Sequence, residues 1–131
     1  MCHDGAGNFF LAKRGTNCRD EHGCWDGGSG GLEVGDTIIE TLKREIKEEY
    51  GTEVLSYEFL GFQDIFRTQE TARTHWVALN FLVRVDPQTA HNAEPHKFDD
   101  VGWFRLDAFP EPLHSQFPGF LELYQDKIRA L

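Results

Sequence analysis

The sequence predicts an α+β fold in which a mixed sheet carries one long amphipathic helix and a second helix follows near the end of the chain. Three observations lead there. Strand-like apolar segments lie on both sides of one helical pattern, five of the nine residues from 27 to 35 just before it are glycine, and no repeat, low-complexity tract or linker divides the chain. Strands flanking a central helix suit a sandwich and not a βαβ repeat. The 131 residues, 40% hydrophobic and 13% aromatic, are read as a single domain, 1–131, with material for one core.

Residues 8–14, NFFLAKR, enter through the turn-forming stretch His3 to Asn8 and close at Gly15, as a buried strand does. A polar loop, Thr16 to Asp26, leads into Gly27, Gly28, Gly30, Gly31 and Gly35, where the backbone needs positive φ or close approach. Asp36 or Thr37 can cap the helix, Ile38, Ile39, Leu42 and Ile46 recur at helical spacing, and Gly51 stops it. Residues 53–67 and 74–85 read as two long strands joined by the polar segment 68–73, and Asp86-Pro87 ends the second. A polar loop then runs to Asp100, a short strand spans Val101 to Leu106, and a last helix runs from Phe117 or Pro118 to Ala130.

Thirteen Lys and Arg against 22 Asp and Glu give a net charge of −9, which opposes binding to nucleic-acid polymers and to anionic membranes. No apolar run approaches the roughly 20 residues of a spanning helix. Cys2, Cys18 and Cys24 cannot all pair within one chain, so they are read as reduced and the protein as cytoplasmic. Cys18, His22 and Cys24 fit no common zinc spacing and lack a fourth ligand nearby; the two cysteines are read as loop thiols. Trp25, Phe66, Trp76 and Trp103 offer faces for a base, but strand aromatics are mostly core, and none is assigned that role.

Residues 30–53 hold seven acids against three bases. At about 100° per residue, Glu45, Glu48 and Glu49 share one arc of the helix, and like charges so placed repel unless a cation neutralises them. Converging carboxylates suit a hard divalent ion such as Mg²⁺ or Mn²⁺; the competing reading is a solvated acidic face.

The stretch GGLEVGDTIIETLKREIKEEYGT resembles the box of the Nudix hydrolases, with Gly30, Arg44, Glu45, Ile46, Glu48, Glu49 and Gly51 in register. Asp36 stands where the family has Glu, and Thr52 where it has an apolar residue. The resemblance extends to Lys13-Arg14-Gly15, Trp25, Glu94-Pro95 and Trp103-Phe104. It implies a Nudix-like α/β/α sandwich with a mixed central sheet and the box helix packed on it. It also implies divalent-metal-dependent hydrolysis of a phosphoanhydride in a nucleoside triphosphate or other nucleoside diphosphate derivative. By carry-over, Glu48 and Glu49 are the principal metal ligands, Glu45 completes the site or is the general base, and Arg44 orients the glutamates or is an exposed i, i+4 partner of Glu40 or Glu48. Glu33 and the Gly31 carbonyl resemble further loop contacts, and Glu94 is similar to a distal acid that serves some members as ligand or base. Arg14, Lys13 and Arg19 are candidates for substrate phosphates, although surface solubility explains Arg19 equally well.

Two other functions remain open: an enzyme like isopentenyl diphosphate isomerase, which needs a catalytic cysteine the sequence does not place, and a Nudix-like nucleotide-binding module without turnover. The resembled fold has most of a strand before the turn at His3, whereas only Met1 and Cys2 precede it here. Either the natural start lies upstream or a second subunit completes the sheet; the reading favours truncation or a shortened strand inside a homodimer.

Overall fold

The computed structural model describes residues 1–131, the side chain of Gln69 excepted. Its elements are β1 (Cys2–His3), β2 (Asn8–Arg14), β3 (Trp25–Asp26), α1 (Ile38–Tyr50), β4 (Val54–Gln69), β5 (Ala72–Val85), β6 (Phe98–Arg105), a 3-10 turn (Leu106–Ala108), α2 (Phe117–Leu123) and α3 (Gln125–Arg129). They form a six-stranded mixed sheet in the order β3-β2-β1-β5-β4, with β6 paired on β2.

Strand β2 organises the sheet. Phe9, Phe10, Leu11 and Ala12 are all buried, so β2 is covered on both faces, which explains why its sequence is a continuous apolar run without alternation. One edge pairs antiparallel with β6 from Asn8↔Arg105 to Arg14↔Phe98; the other takes β1 and then β3. The inner position between β2 and β5 is held by just two residues, with Cys2 opposite Val83 in the parallel direction. Met1 extends this join: its amino group donates to the Phe81 carbonyl at 2.7 Å, and the Val83 amide donates to the Met1 carbonyl at 3.0 Å. Asp4 ties the following turn by accepting from the amides of Ala6 and Asn8.

The two faces have separate cores. Phe10, Phe81, Val83, Val85 and Phe98 pack with Ile46 and Tyr50 of α1. On the reverse, Leu82 and Phe9 meet Ile128 of α3, while Leu11 and Trp25 meet Phe117 of α2. This is the expected sandwich. No helix is long and apolar enough to cross a membrane, among the described residues.

Several boundaries differ from the sequence reading. Segment 68–73 is mostly strand, because Thr68↔Arg73 and Gln69↔Ala72 extend the hairpin to a two-residue turn with Glu70 at φ 54°. Strand β6 begins at Phe98 and not at Val101, since pairing with β2 continues that far. The last helix breaks at Tyr124 (φ −113°, ψ 21°), whose hydroxyl accepts from Asn80 on β5 at 3.0 Å, and a new helix then brings Ile128 into the core. Cys18 lies in the loop between β2 and β3, as read, but its side chain is buried in the core. Trp25 is buried and Trp103 packs against Phe10, but Phe66 and Trp76 are exposed, contrary to the core reading of strand aromatics.

Candidate metal centre

Helix α1 is set by local chemistry at both ends. Thr37 Oγ1 accepts from the Glu40 amide at 3.1 Å while the Glu40 carboxylate accepts from the Thr37 amide at 2.8 Å, a complete capping box. Gly51 ends it at φ 62°. A Cβ there would meet the His91 ring, because the loop after β5 docks on this helix end. The His91 amide donates to the Tyr50 carbonyl at 3.0 Å and the Ala93 amide to the Glu49 carbonyl at 3.1 Å, so helix carbonyls left open by the fold find partners in residues 91–93. This docking carries Glu94 and Lys97 to the acids of α1.

Glu49 is 3% exposed, and its carboxylate accepts from Lys97 Nζ at 2.8 Å. Burial pushes the Glu49 carboxyl up to about 7; the bond to Lys97 opposes the rise, and the charges of Glu45 and Glu94 add to it. Burial lowers Lys97, but the bond to Glu49 and the charges of Glu49 and Glu94 outweigh that and raise it. Glu45 is also raised, by burial first and then by Glu48, against Arg44 and Lys97, with Glu94 adding to the rise. Four carboxylates act on one another here with too little positive charge among them.

Arg44 lies in a ring of acids. It pairs with Asp36 and stands 3.8 Å from Glu33, 3.7 Å from Glu45 and 3.8 Å from Glu48. Its Nη2 is buried without a hydrogen-bond partner among the described residues. Asp36, one methylene shorter than the Glu it replaces, thus buttresses the loop through Arg44, while Thr37 does the capping. Thr52, the other departure, is fully buried and shares a hydrogen bond of 2.7 Å with Thr89, which accounts for a polar side chain in an apolar position.

The glycine loop lies directly against these groups. A Cβ on Gly30 would sit 2.4 Å from Glu45 Cγ and 2.8 Å from its Oε2, and one on Gly28 (φ 93°) would sit 2.6 Å from the Tyr50 hydroxyl. Gly31 is exposed and uncrowded. A cradle that only glycine can form and a surplus of carboxylate oxygens fit a hard divalent cation.

Not every expected residue joins this group. Glu33 is mostly exposed and reaches it only through Arg44. Arg14 is held by Asp20 at 3.1 Å and Asp26 at 3.8 Å; Lys13 is half-buried beside Trp25 and makes no ion pair with the α1 acids, among the described residues. Lys97 was missed: it stands three residues after Glu94, but only the docking of its loop shows that it reaches Glu49. A second acid cluster was missed as well. Asp20, Glu21 and His114 offer ligand atoms within 4.8 Å of one another, yet Arg67 binds both acids at 2.9 and 2.8 Å, and the Ser115 amide and hydroxyl donate to Glu21. A cavity of about 410 Å³ lined by Phe9, Arg105, Ile128 and Arg129 lies on the α3 side and includes none of the α1 acids.

Comparison with known proteins agrees with this geometry. A model of the NUDIX domain matches residues 1–124. The NAD-capped RNA hydrolase NudC of Pseudomonas aeruginosa is 31% identical over 88 residues, which are 67% of this chain and 29% of that protein, so the chain spans under a third of that relative's length. Among solved structures, a MutT NUDIX hydrolase from Burkholderia pseudomallei superposes with a TM-score of 0.78 at 28% identity, covering 93% of this chain and 94% of that one. The NUDIX domain of Shewanella oneidensis NrtR, solved with ADP ribose, has a TM-score of 0.72 at 16% identity, over 91% and 76% of the two chains, and shows the shared fold. With the box in register on α1 and the family match extending over almost its whole length, the chain belongs to the Nudix family.

Proposed function

We propose that this chain hydrolyses a phosphoanhydride in a nucleoside triphosphate or another nucleoside diphosphate derivative, with Mg²⁺ or Mn²⁺ as cofactor. The observation that carries this reading is the seating of Glu45, Glu48 and Glu49 on one arc of α1, with Glu45 under Gly30 and the charge of Glu94 acting on Glu45 and Glu49. Glu48 and Glu49, with Glu45, the Gly31 carbonyl and Glu94, are the proposed ligands. When bound, the cation would neutralise pyrophosphate charge and lower the pKa of a water nucleophile.

The chain's own groups have distinct proposed roles. Glu45, raised from its ordinary value by burial and the charge of Glu48, or Glu48 takes a proton from water as general base. Arg44 positions the carboxylates by holding Asp36, Glu45 and Glu48 around one planar group. Lys97 offsets the charge of Glu49. Lys13 and Arg14 meet substrate phosphates, Arg14 by exchanging Asp20 or Asp26 for a phosphate oxygen, and Glu33 contacts substrate from the loop. Substrates of this class suit the printed descriptions of the relatives, one acting on NAD-capped RNA and one solved with ADP ribose. The three free thiols suit the reducing cytoplasm.

The test is a screen of nucleoside triphosphates and nucleoside diphosphate derivatives with Mg²⁺, scored by the products. The reading expects cation-dependent release of a phosphate or nucleotide product. Tight nucleotide binding without turnover across the screen points instead to a binding module, and rearrangement without phosphate release to an isomerase.

A further inference from the structure

Cross-strand pairing places Phe59, Phe62, Asp64, Phe66 and Thr68 of β4 on the same face as Phe81, Leu79, Val77, His75 and Arg73 of β5. Near β1 this face is core, since Phe81 and Val83 pack under α1. Farther out nothing covers it, among the described residues. Phe59 is 54% exposed, Phe62 65%, Phe66 70% and Val77 61%. The reverse face of the same stretch is occupied: Arg67 binds Asp20 and Glu21, Arg19 lies 5.3 Å over the Trp76 ring, and Asn80 reaches Tyr124. The backbone edge of β5 from Ala72 to Asn80 pairs only with β4, among the described residues. One sheet segment therefore leaves both an apolar face and an edge open.

We propose that this face docks a second copy of the chain, hairpin against hairpin across a two-fold axis. With about 150–250 Å² available per aromatic side chain, the exposed fractions of Phe59, Phe62 and Phe66 come to roughly 300–470 Å². That is the size of the largest patch on a typical monomer, about 300–600 Å², which is often functional. Two such stripes in isologous contact remove roughly 600–900 Å², the size of a weak, transient interface that forms at high protein concentration. Charge agrees with area. The chain carries −9, which holds copies apart elsewhere, but the stripe balances Asp64 against Arg73, and His75 bonds to Asp64 at 2.7 Å. Two copies can meet here without like-charge repulsion, and the antiparallel hairpin presents the same surface to its own copy.

Sedimentation velocity of the full chain at tens of micromolar tests this. The expected result is a dimer that Val77→Asp and Phe62→Asp each convert to a monomer, halving the apparent mass with the circular dichroism spectrum unchanged. Both positions are exposed, so folding survives, and Phe66→Ser supplies a third variant independent of added charge. Leu123→Asp, an exposed apolar position on α2, should leave the dimer intact. A wild-type monomer, a dimer that persists in the hairpin variants, or a dimer lost on Leu123→Asp overturns the proposal. A monomer that sediments with phosphatidylcholine vesicles through these same residues overturns it in favour of a lipid surface.

Discussion

Asp20 and Glu21, in the loop after β2, and Glu45, Glu48 and Glu49, on α1, are both dense groups of carboxylates, yet their surroundings act on them in opposite directions. Glu21 is raised by its burial, but the amide and hydroxyl of Ser115, the His114 ring and Arg67 together hold it below the usual carboxylate range. Glu45 and Glu49 stay above that range even with Arg44 and Lys97 alongside. The first group is a joint: Arg14 and Arg67 fasten the loop to β2 and β4, and His114 and Ser115 fasten it to the segment before α2. The second has unused capacity for positive charge. Ligand spacing alone does not separate a salt-bridged joint from a cation site; the balance of donors around the acids does.

The sharpest way to break this comparison is to neutralise acids on each side. Glu48→Gln or Glu49→Gln should leave the fold intact, because mutual repulsion is relieved, and lower turnover by orders of magnitude, roughly 10²–10⁴-fold where the carboxylate is the general base. Asp20→Asn or Glu21→Gln should leave turnover within a few-fold and cost about 1–3 kcal/mol of stability as partners lose their bonds. Steady-state kinetics and thermal melts on the same four variants decide it, and the pattern reversed would remove the assignment.

Next in size is the response to cations. Metal bound only by the folded state stabilises by RT ln(1 + [L]/Kd), roughly 2.7 kcal/mol at a hundredfold excess over Kd. Melting temperature should rise with millimolar Mg²⁺ or Mn²⁺, fall back with chelator, and respond in Glu21→Gln but not in Glu49→Gln. Indifference of the wild type to both cation and chelator would count against a metal centre.

The pH dependence separates the groups by sign. In chelator, Glu49 has a folded pKa of about 7 against an ordinary 4.5, so its favourable contribution is complete below 4.5 and is lost as pH rises through 7. Glu21 is depressed, so its contribution is present above the ordinary glutamate range and lost as pH falls through its lowered pKa. Melting of the chelated protein should therefore rise on acidification from pH 7 to 5, and Glu49→Gln should flatten that rise while Glu21→Gln preserves it.

The smallest effect is expected at Thr52. Thr52→Val keeps the buried shape, and Thr89 retains its bond to the Asp86 carbonyl at 3.2 Å, so the change should stay within about 1 kcal/mol with turnover unaltered. Differential denaturation measures it, and a large loss of activity would show that this position does more than pack.

Legibility followed the range of the interactions. Helix α1 was readable because its start and stop signals, Asp36 or Thr37 and Gly51, act within one turn, and the arc of acids follows from helical period alone; the Glu40 half of the capping box shows only in the structure. The long strands were readable from their β-branched and aromatic residues with partial alternation. Their boundaries were not, since the limits of β6 come from its pairing with β2 and the inner position of Cys2 from Val83, far along the chain. The same distance hid Lys97, which meets Glu49 because residues 91–93 cap α1, and Arg67 of β4, which meets Asp20 of the loop after β2 across 47 positions of sequence. Exposure of Phe66 and Trp76 was hidden for another reason: strand alternation shows which residues share a face, not whether anything covers it.

The claim that unbalanced acids on α1, and not the acids of the loop joint, form the cation site is tested most directly by Mn²⁺ titration followed by electron paramagnetic resonance. The account expects wild type and Glu21→Gln to bind Mn²⁺ alike, and Glu48→Gln and Glu49→Gln to lose most of that binding. Binding retained in both α1 variants but abolished in Glu21→Gln, or no binding by the wild type, would contradict it.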